Sequence, residues 1–275
     1  LVKARDWLGP GQFAPGEEGH GWRMLGMLER LDGNLPAAGQ AYDKALGYAP
    51  KDPLLWVDIG RLRYVGGEQV QALDAAERAL AAAPDNPRAL EFRAQLLRDQ
   101  RGWDAALPLY EQALEQAPND LSLLGGYAAT LGEAGRGAEM LAVTRKMIGI
   151  APKHPLAWYL QAVLAARAGK VDLARRLLDR TGTRLQDVPA GLLLRGVLEL
   201  EAGNANLAAG LLERLYERQG ANQRLQLLYA RALYESNDFN KLHERFDPLA
   251  SRPDAPAYLL ELIGRAYEEQ GDRLA

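Results

Sequence analysis

The run ALGYAPKDPLLW at residues 45–56 is repeated along the chain at a fixed interval. It returns as RALAAAPDNPRAL (78–90), QALEQAPNDLSLL (112–124) and KMIGIAPKHPLAW (146–158), which sets Pro50, Pro84, Pro118 and Pro152 34 residues apart without insertion. The chain has 15 prolines in 275 residues, so chance gives three more on that schedule with odds on the order of one in ten thousand. This period constrains the fold before any other feature does. It requires one supersecondary unit, copied and stacked on its neighbours, rather than a single globular core.

Units counted from Gly19, Pro53, Pro87, Leu121, Pro155, Pro189, Gln223 and Ala257 extend the period to the C-terminus, even where the prolines fade. The eighth place of each unit is small: Gly26, Gly60, Ala94, Ala128, Ala162, Gly196, Ala230 and Gly264. Within a unit, two apolar runs of helical period are separated by a break. In the second unit Leu55, Ile59 and Leu62 share one face of a helix that ends at Gly66 and Gly67. Val70, Leu73, Ala76 and Leu80 share a face of the next, which Pro84 ends because the residue before a proline is pushed out of the α region. Small residues at Gly60 and Ala72 are expected where the two antiparallel helices cross closely, since overpacking such a contact costs about 1–3 kcal/mol.

These residues resemble the tetratricopeptide repeat pattern of Trp, Leu-Gly, Tyr, Ala, aromatic, Ala and Pro. The first unit meets it with Trp22, Leu25, Gly26, Ala38, Tyr42, Ala45 and Pro50, with Glu29 where tyrosine is usual. The second has Trp56, Ile59, Gly60, Ala72, Ala79 and Pro84; the third Ala94, Ala106, Tyr110, Ala113 and Pro118; the fifth Trp158, Ala162 and Ala174. The resemblance implies an all-α fold, a right-handed α-α superhelix (solenoid) of about eight helix-turn-helix units over residues 19–275. Residues 1–18 are then the second helix of a preceding unit plus a loop, with Ala4 and Leu8 standing 34 residues before Ala38 and Tyr42. The last segment, AYLLELIGRAYEEQGDRLA, reads as a first helix without its partner, so the half-repeats predict a piece of a longer protein.

Three departures carry expectations. The terminal proline is replaced by Gln186, Gly220 and Asp254 in units five to seven, so these units are expected to stack less regularly. DRTGTRLQDVPAG (179–191) should shorten the second helix of unit five, and Pro248 should stop or kink that of unit seven.

Little in the sequence points to chemistry. There is no cysteine, which excludes disulfides, thiolate metal sites and a cysteine nucleophile, and is compatible with cytoplasm or periplasm. His20, His154 and His243 fall at unrelated places in the repeat, and Ser122, Ser236 and Ser251 lack a nucleophile-elbow setting. GEEGHGWRMLG (16–26) is glycine-rich but lacks the phosphate-loop order, and acidic pairs such as Glu268 and Glu269 read as solvated helix faces. The expectation is no catalytic residue, no metal and no cofactor. A net charge of −3 gives no general attraction to nucleic acid, and no apolar run reaches membrane-spanning length. Trp22, Trp56 and Trp158 recur on schedule and read as core fillers between repeats rather than as a stacking platform for bases.

Function is therefore expected on a surface. In the resembled fold the first helices line a concave groove that holds a partner peptide or helix. Its places two, five, six, nine and twelve give Arg23, Met27 and Arg30, then Asp58, Arg61 and Tyr64, then Arg88, Glu91, Gln95 and Arg98. Further on they give Gly125, Gly126 and Ala129, then Leu156, Tyr159, Leu160 and Val163, then Leu193, Leu194 and Val197, and finally Arg224, Leu227, Arg231 and Tyr234. The groove reads as charged at its N-terminal end and apolar in its middle, suited to hydrophobic anchors flanked by carboxylates. Chaperone-binding members hold a carboxylate with Lys and Asn at places five and nine; here these are Arg23/Met27, Val57/Arg61 and Glu91/Gln95, so that clamp is absent. The reading is a non-enzymatic scaffold for a protein or peptide. The alternatives are the recognition arm of a larger enzyme such as a transferase, or a peptide-responsive regulator, with self-association through the uncapped ends as a further partner mode.

Overall fold

The computed structural model describes residues 2–9 and 11–271, with side chains from Arg5 onward. The side chain of Ala4, residue Pro10 and residues 272–275, which the sequence reading placed in the terminal half-repeats, lie outside the described residues. Among those described there are sixteen α-helices, one 3₁₀ turn and no strand.

After α1 (Val2–Leu8) the helices come in pairs. The first helices are α2 (Glu18–Leu31), α4 (Pro53–Val65), α6 (Pro87–Arg101), α8 (Leu121–Glu133), α10 (Pro155–Arg167), α12 (Pro189–Glu201), α14 (Gln223–Glu235) and α16 (Ala257–Glu269). Seven of these, α4 to α16, begin at 34-residue intervals. The second helices are α3 (Leu35–Tyr48), α5 (Gln69–Ala82), α7 (Trp103–Gln116), α9 (Gly137–Ile150), α11 (Val171–Asp179), α13 (Ala205–Gln219) and α15 (Phe239–Ala250). The chain forms two compact units, one running to Val143 and one from Thr144.

The boundaries follow from local chemistry. Asp52, Asn86, Asp120 and Asn222 occupy the same place in four units, and each accepts a hydrogen bond from a backbone N–H of the helix it starts, as at Asp52 to Leu54 N, 2.8 Å. Proline at the first helical position of α4, α6, α10 and α12 loses no hydrogen bond, because that N–H has no intrahelical partner. Between paired helices the chain turns through a left-handed residue, usually glycine, as at Gly33 and Gly67. In unit seven Asn237 takes this conformation, with φ 58°.

The shortening of unit five is present: α11 has nine residues where α3, α5, α7 and α9 have fourteen, and the 3₁₀ turn Gly182–Leu185 follows it. Pro248 does not stop its helix. It lies in the last turn of α15, and the helix ends two residues later at Ala250.

The small eighth residues make room for side chains. A Cβ on Gly26 would stand 2.4 Å from the ring of Tyr42, and one on Gly196 2.7 Å from Leu212, each on the second helix of its own hairpin. At Gly60 the expected close crossing against Ala72 is not what fills the space. A Cβ there would meet the Phe92 ring of the next first helix at 2.3 Å and Ala75 at 3.2 Å. Unit two has Ala76 where unit one has Tyr42, so the neighbouring unit supplies the missing ring.

The scheduled tryptophans are half-buried lids over the joints rather than full core fillers. Trp56 Nε1 donates to the Pro50 carbonyl and Trp158 Nε1 to that of Pro152, both at 2.8 Å. A cation twenty-two residues on stands over each of the three rings: Lys44 on Trp22, Arg78 on Trp56 and Arg180 on Trp158.

Candidate functional site

In the N-terminal unit, places two, five, six and nine of the first helices put arginine and carboxylate side chains on neighbouring helices within reach of one another. Arg23 on α2 donates through Nε to Asp58 on α4 at 2.9 Å, and its Nη1 lies 3.4 Å from Asp52. Arg61 on α4 reaches Glu91 on α6 at 3.4 Å. Arg88 on α6 donates to the same Glu91 oxygen at 3.2 Å and to Asp120, the cap of α8, at 3.1 Å. Ser122 Oγ approaches the other Glu91 oxygen at 3.4 Å. Four consecutive first helices are thereby linked by side-chain hydrogen bonds.

Exposure varies across the network, the Arg23, Asp52 and Asp120 side chains being 15%, 28% and 26% exposed. The Asp58 and Glu91 side chains are 7% and 6% exposed, whereas those of Arg61 and Arg88 are 29% and 42% exposed. Glu91 thus lies beneath the more exposed Arg61 and Arg88 and accepts a hydrogen bond from each. Burial pushes the Asp58 carboxyl above its ordinary range, and the Arg23 hydrogen bond opposes that shift. Of the other residues expected here, Met27 packs against the core around Tyr42 and Ile59, and Gln95 is half-buried. Gly125 is buried and Ala129 half-buried, and a Cβ on Gly126 would stand 3.0 Å from the Tyr110 ring.

In the C-terminal unit the corresponding places of α10 and α12 are apolar, whereas α14 carries Arg224 and Arg231. Tyr159 and Leu194 pack on the cluster of Ala162, Ala174, Leu178 and Leu198, and Leu193 and Leu227 on the cluster around Tyr229 and Phe246. Leu160 is buried at 5% exposure, while Val163 and Val197 are half-buried. Arg231 is held by Glu201 at 2.9 Å and Glu235 at 2.7 Å.

Two members of the arginine network, Asp52 and Asp120, were not read as surface residues from the sequence. Each caps a helix and accepts from an arginine as well. The available signal was an acidic residue at the cap place of a unit that also carries arginine at place two or five. Among the described residues no group of three or more His, Asp or Glu is placed to hold a metal ion, and no helix is long and apolar enough to cross a membrane.

The tetratricopeptide repeat family model matches residues 57–120, 93–155 and 122–183. The chain is a tetratricopeptide repeat protein. The family is one of protein- and peptide-binding scaffolds. Among curated proteins, this repeat protein is 28% identical over 184 residues to the cytochrome c-type biogenesis protein CycH of Rhizobium meliloti, covering 64% of this chain and 46% of that one. It is 26% identical over 164 residues to mouse tetratricopeptide repeat protein 21A, covering 57% of this chain and 12% of that one. The match thus spans less than half the length of either relative. Among solved structures, the type IV pilus biogenesis factor PilW superposes with TM-score 0.62 at 18% identity over 76% of this chain and 96% of its own. The APC/C Cut9–Hcn1 hetero-tetramer superposes with TM-score 0.76 at 12% identity over 97% of this chain and 52% of its own. At these identities both structures speak to the fold.

Proposed function

We propose that this repeat protein is a scaffold that binds a partner polypeptide on the first-helix faces, the N-terminal unit recognising carboxylates and the C-terminal unit apolar side chains. The observation that carries the reading is the difference in exposure around Glu91, whose buried carboxylate fixes the more exposed Arg61 and Arg88. Guanidinium groups held in this way lose little side-chain freedom when a partner carboxylate arrives, so more of each charge-assisted hydrogen bond is realised as affinity. Tyr159, Val163, Leu193, Leu194 and Val197 offer half-buried apolar surface to anchor residues.

A second reading concerns the partner's process. The similarity to a cytochrome c-type biogenesis protein over 184 residues favours a partner from the assembly of such cytochromes. The test compares proteins retained from the source lysate by the wild-type chain and by Arg61→Glu/Arg88→Glu, with crosslinks mapped onto the chain. A partner crosslinked to α4 and α6 and lost with the double variant, at unchanged helicity and melting temperature, is the expected result. If no partner is lost with the double variant, or every partner crosslinks to the second helices alone, the reading is refuted.

A further inference from the structure

The second-helix side of the N-terminal unit carries a cleft of about 400 Å³ between α3 and α5, floored by α4. This volume is within the range of ligand sites, roughly 300–1,000 Å³. The floor is carbon, from Tyr42, Leu46, Trp56, Ile59 and Leu62. Small residues leave space in the walls at two places. Gly39 on α3 would bring a Cβ near only Leu62, at 3.8 Å, and α5 contributes Ala75. Glycine weakens a helix interior relative to alanine, so its place at 39 sets open space against helix stability.

The rim is charged, with one carboxylate in excess. Arg63 closes on Glu68 at 2.9 Å, and Arg78 closes on Asp74 at 2.8 Å while standing 4.9 Å over the Trp56 ring. Asp43, exposed on α3 beside the opening, has no hydrogen-bond or ion-pair partner among the described residues.

We infer that this cleft is a second docking site, independent of the first-helix face, for a partner segment that inserts one aromatic or leucine-sized side chain and sets an adjacent lysine or arginine against Asp43. The apolar floor with its indole wall takes the side chain, and the unpaired carboxylate selects its basic neighbour. This preference is opposite in sign to that of the arginine-lined face, so the two sites take different segments.

The test uses the full chain as bait for a random peptide library displayed on phage, with selected peptides synthesised and titrated by fluorescence anisotropy. The expected binders place an aromatic residue or leucine directly beside lysine or arginine. Gly39→Leu, which fills the cleft from a position with free space, weakens them by roughly tenfold or more, as loss of a buried apolar side chain should. Asp43→Asn weakens them about two- to fivefold, and Arg61→Glu/Arg88→Glu leaves them unchanged. If Gly39→Leu fails to fold, the exposed Asp43→Asn and the cleft-floor variant Leu46→Ala carry the test. Binders indifferent to these changes, acidic binders, binders lost with the arginine variants, or no binder at all overturn the proposal.

Discussion

Phe92 occupies the space that a side chain on Gly60 would need, its Cε1 lying 2.3 Å from the position of a Cβ there. Gly60→Ala should therefore destabilise the chain by about 1–3 kcal/mol, because the buried ring has no room to withdraw. Gly264, at the same place in the last unit, has no atom within 4 Å of its Cβ position among the described residues. Gly264→Ala should instead stabilise by about 0.5–1 kcal/mol, through helix propensity alone. Denaturant midpoints of the two variants check the contrast, and Phe92→Leu should relieve part of the Gly60→Ala penalty in the double variant.

Asp58 and Arg23 form a pair with both side chains largely buried, 7% and 15% exposed. Removing one partner of such a pair costs about 3–5 kcal/mol, and Asp52, 3.4 Å from Arg23, should hold Asp58→Ala near the lower end. The pH dependence has a definite sign. Burial raises the Asp58 carboxyl above its ordinary 3.8, so its contribution is most favourable below that value and falls as pH rises through the folded pKa. The stability advantage of wild type over Asp58→Asn should shrink as pH rises from below 3.8 through the raised folded pKa, measured by urea denaturation at each pH.

The fold was legible because a solenoid writes its contacts into the local sequence. Four units start at a cap such as Asp52 or Asn86, most turn at a glycine of positive φ and every one has a small eighth residue, and these signals lie within one period. What the period does not encode is compensation between units. Ala76 stands where an aromatic is expected, and nothing at that place announces that Phe92, sixteen residues on, fills the gap. Charge was legible by type but not by depth. Asp58 and Arg61 occupy neighbouring places on α4, yet Asp58 is buried against Arg23 and Arg61 is partly exposed, because the outcome depends on which partner the adjacent helix supplies.

Tyr42 should govern the alkaline limit of the N-terminal unit. Its burial, with Asp58 adding to the effect, pushes the hydroxyl up to about 12, while the unfolded chain ionises near 10.0. A folded pKa above the unfolded one means stability that is intact below pH 10 and lost as pH rises through the folded value, about 2–3 kcal/mol in all. The Tyr42 hydroxyl is buried without a well-aligned partner, so Tyr42→Phe should change little at neutral pH and move alkaline unfolding to higher pH. Circular dichroism followed against tyrosinate absorbance checks this: unchanged alkaline unfolding in the variant would show that other groups set the limit.

The joint that recurs every 34 residues should behave alike in both units. Trp56 and Trp158 donate to the carbonyls of Pro50 and Pro152 at the same distance, 2.8 Å, each beneath an arginine guanidinium twenty-two residues on. Phenylalanine at either place keeps an aromatic lid and removes the donor, and both bonds are solvent-accessible, so water can take up the freed carbonyl. Trp56→Phe and Trp158→Phe should therefore cost similar amounts, about 0.5–1.5 kcal/mol each. Arg78→Met and Arg180→Met should each cost about 0.5–1 kcal/mol, the range for an exposed cation over a ring. Arg78 is also paired with Asp74, whereas Arg180 has no ion-pair partner among the described residues, so any excess in the Arg78 variant measures that surface pair. Denaturant titrations of the four variants decide it: tryptophan variants differing by more than the whole expected cost would show that the two joints, alike in geometry, differ in strain.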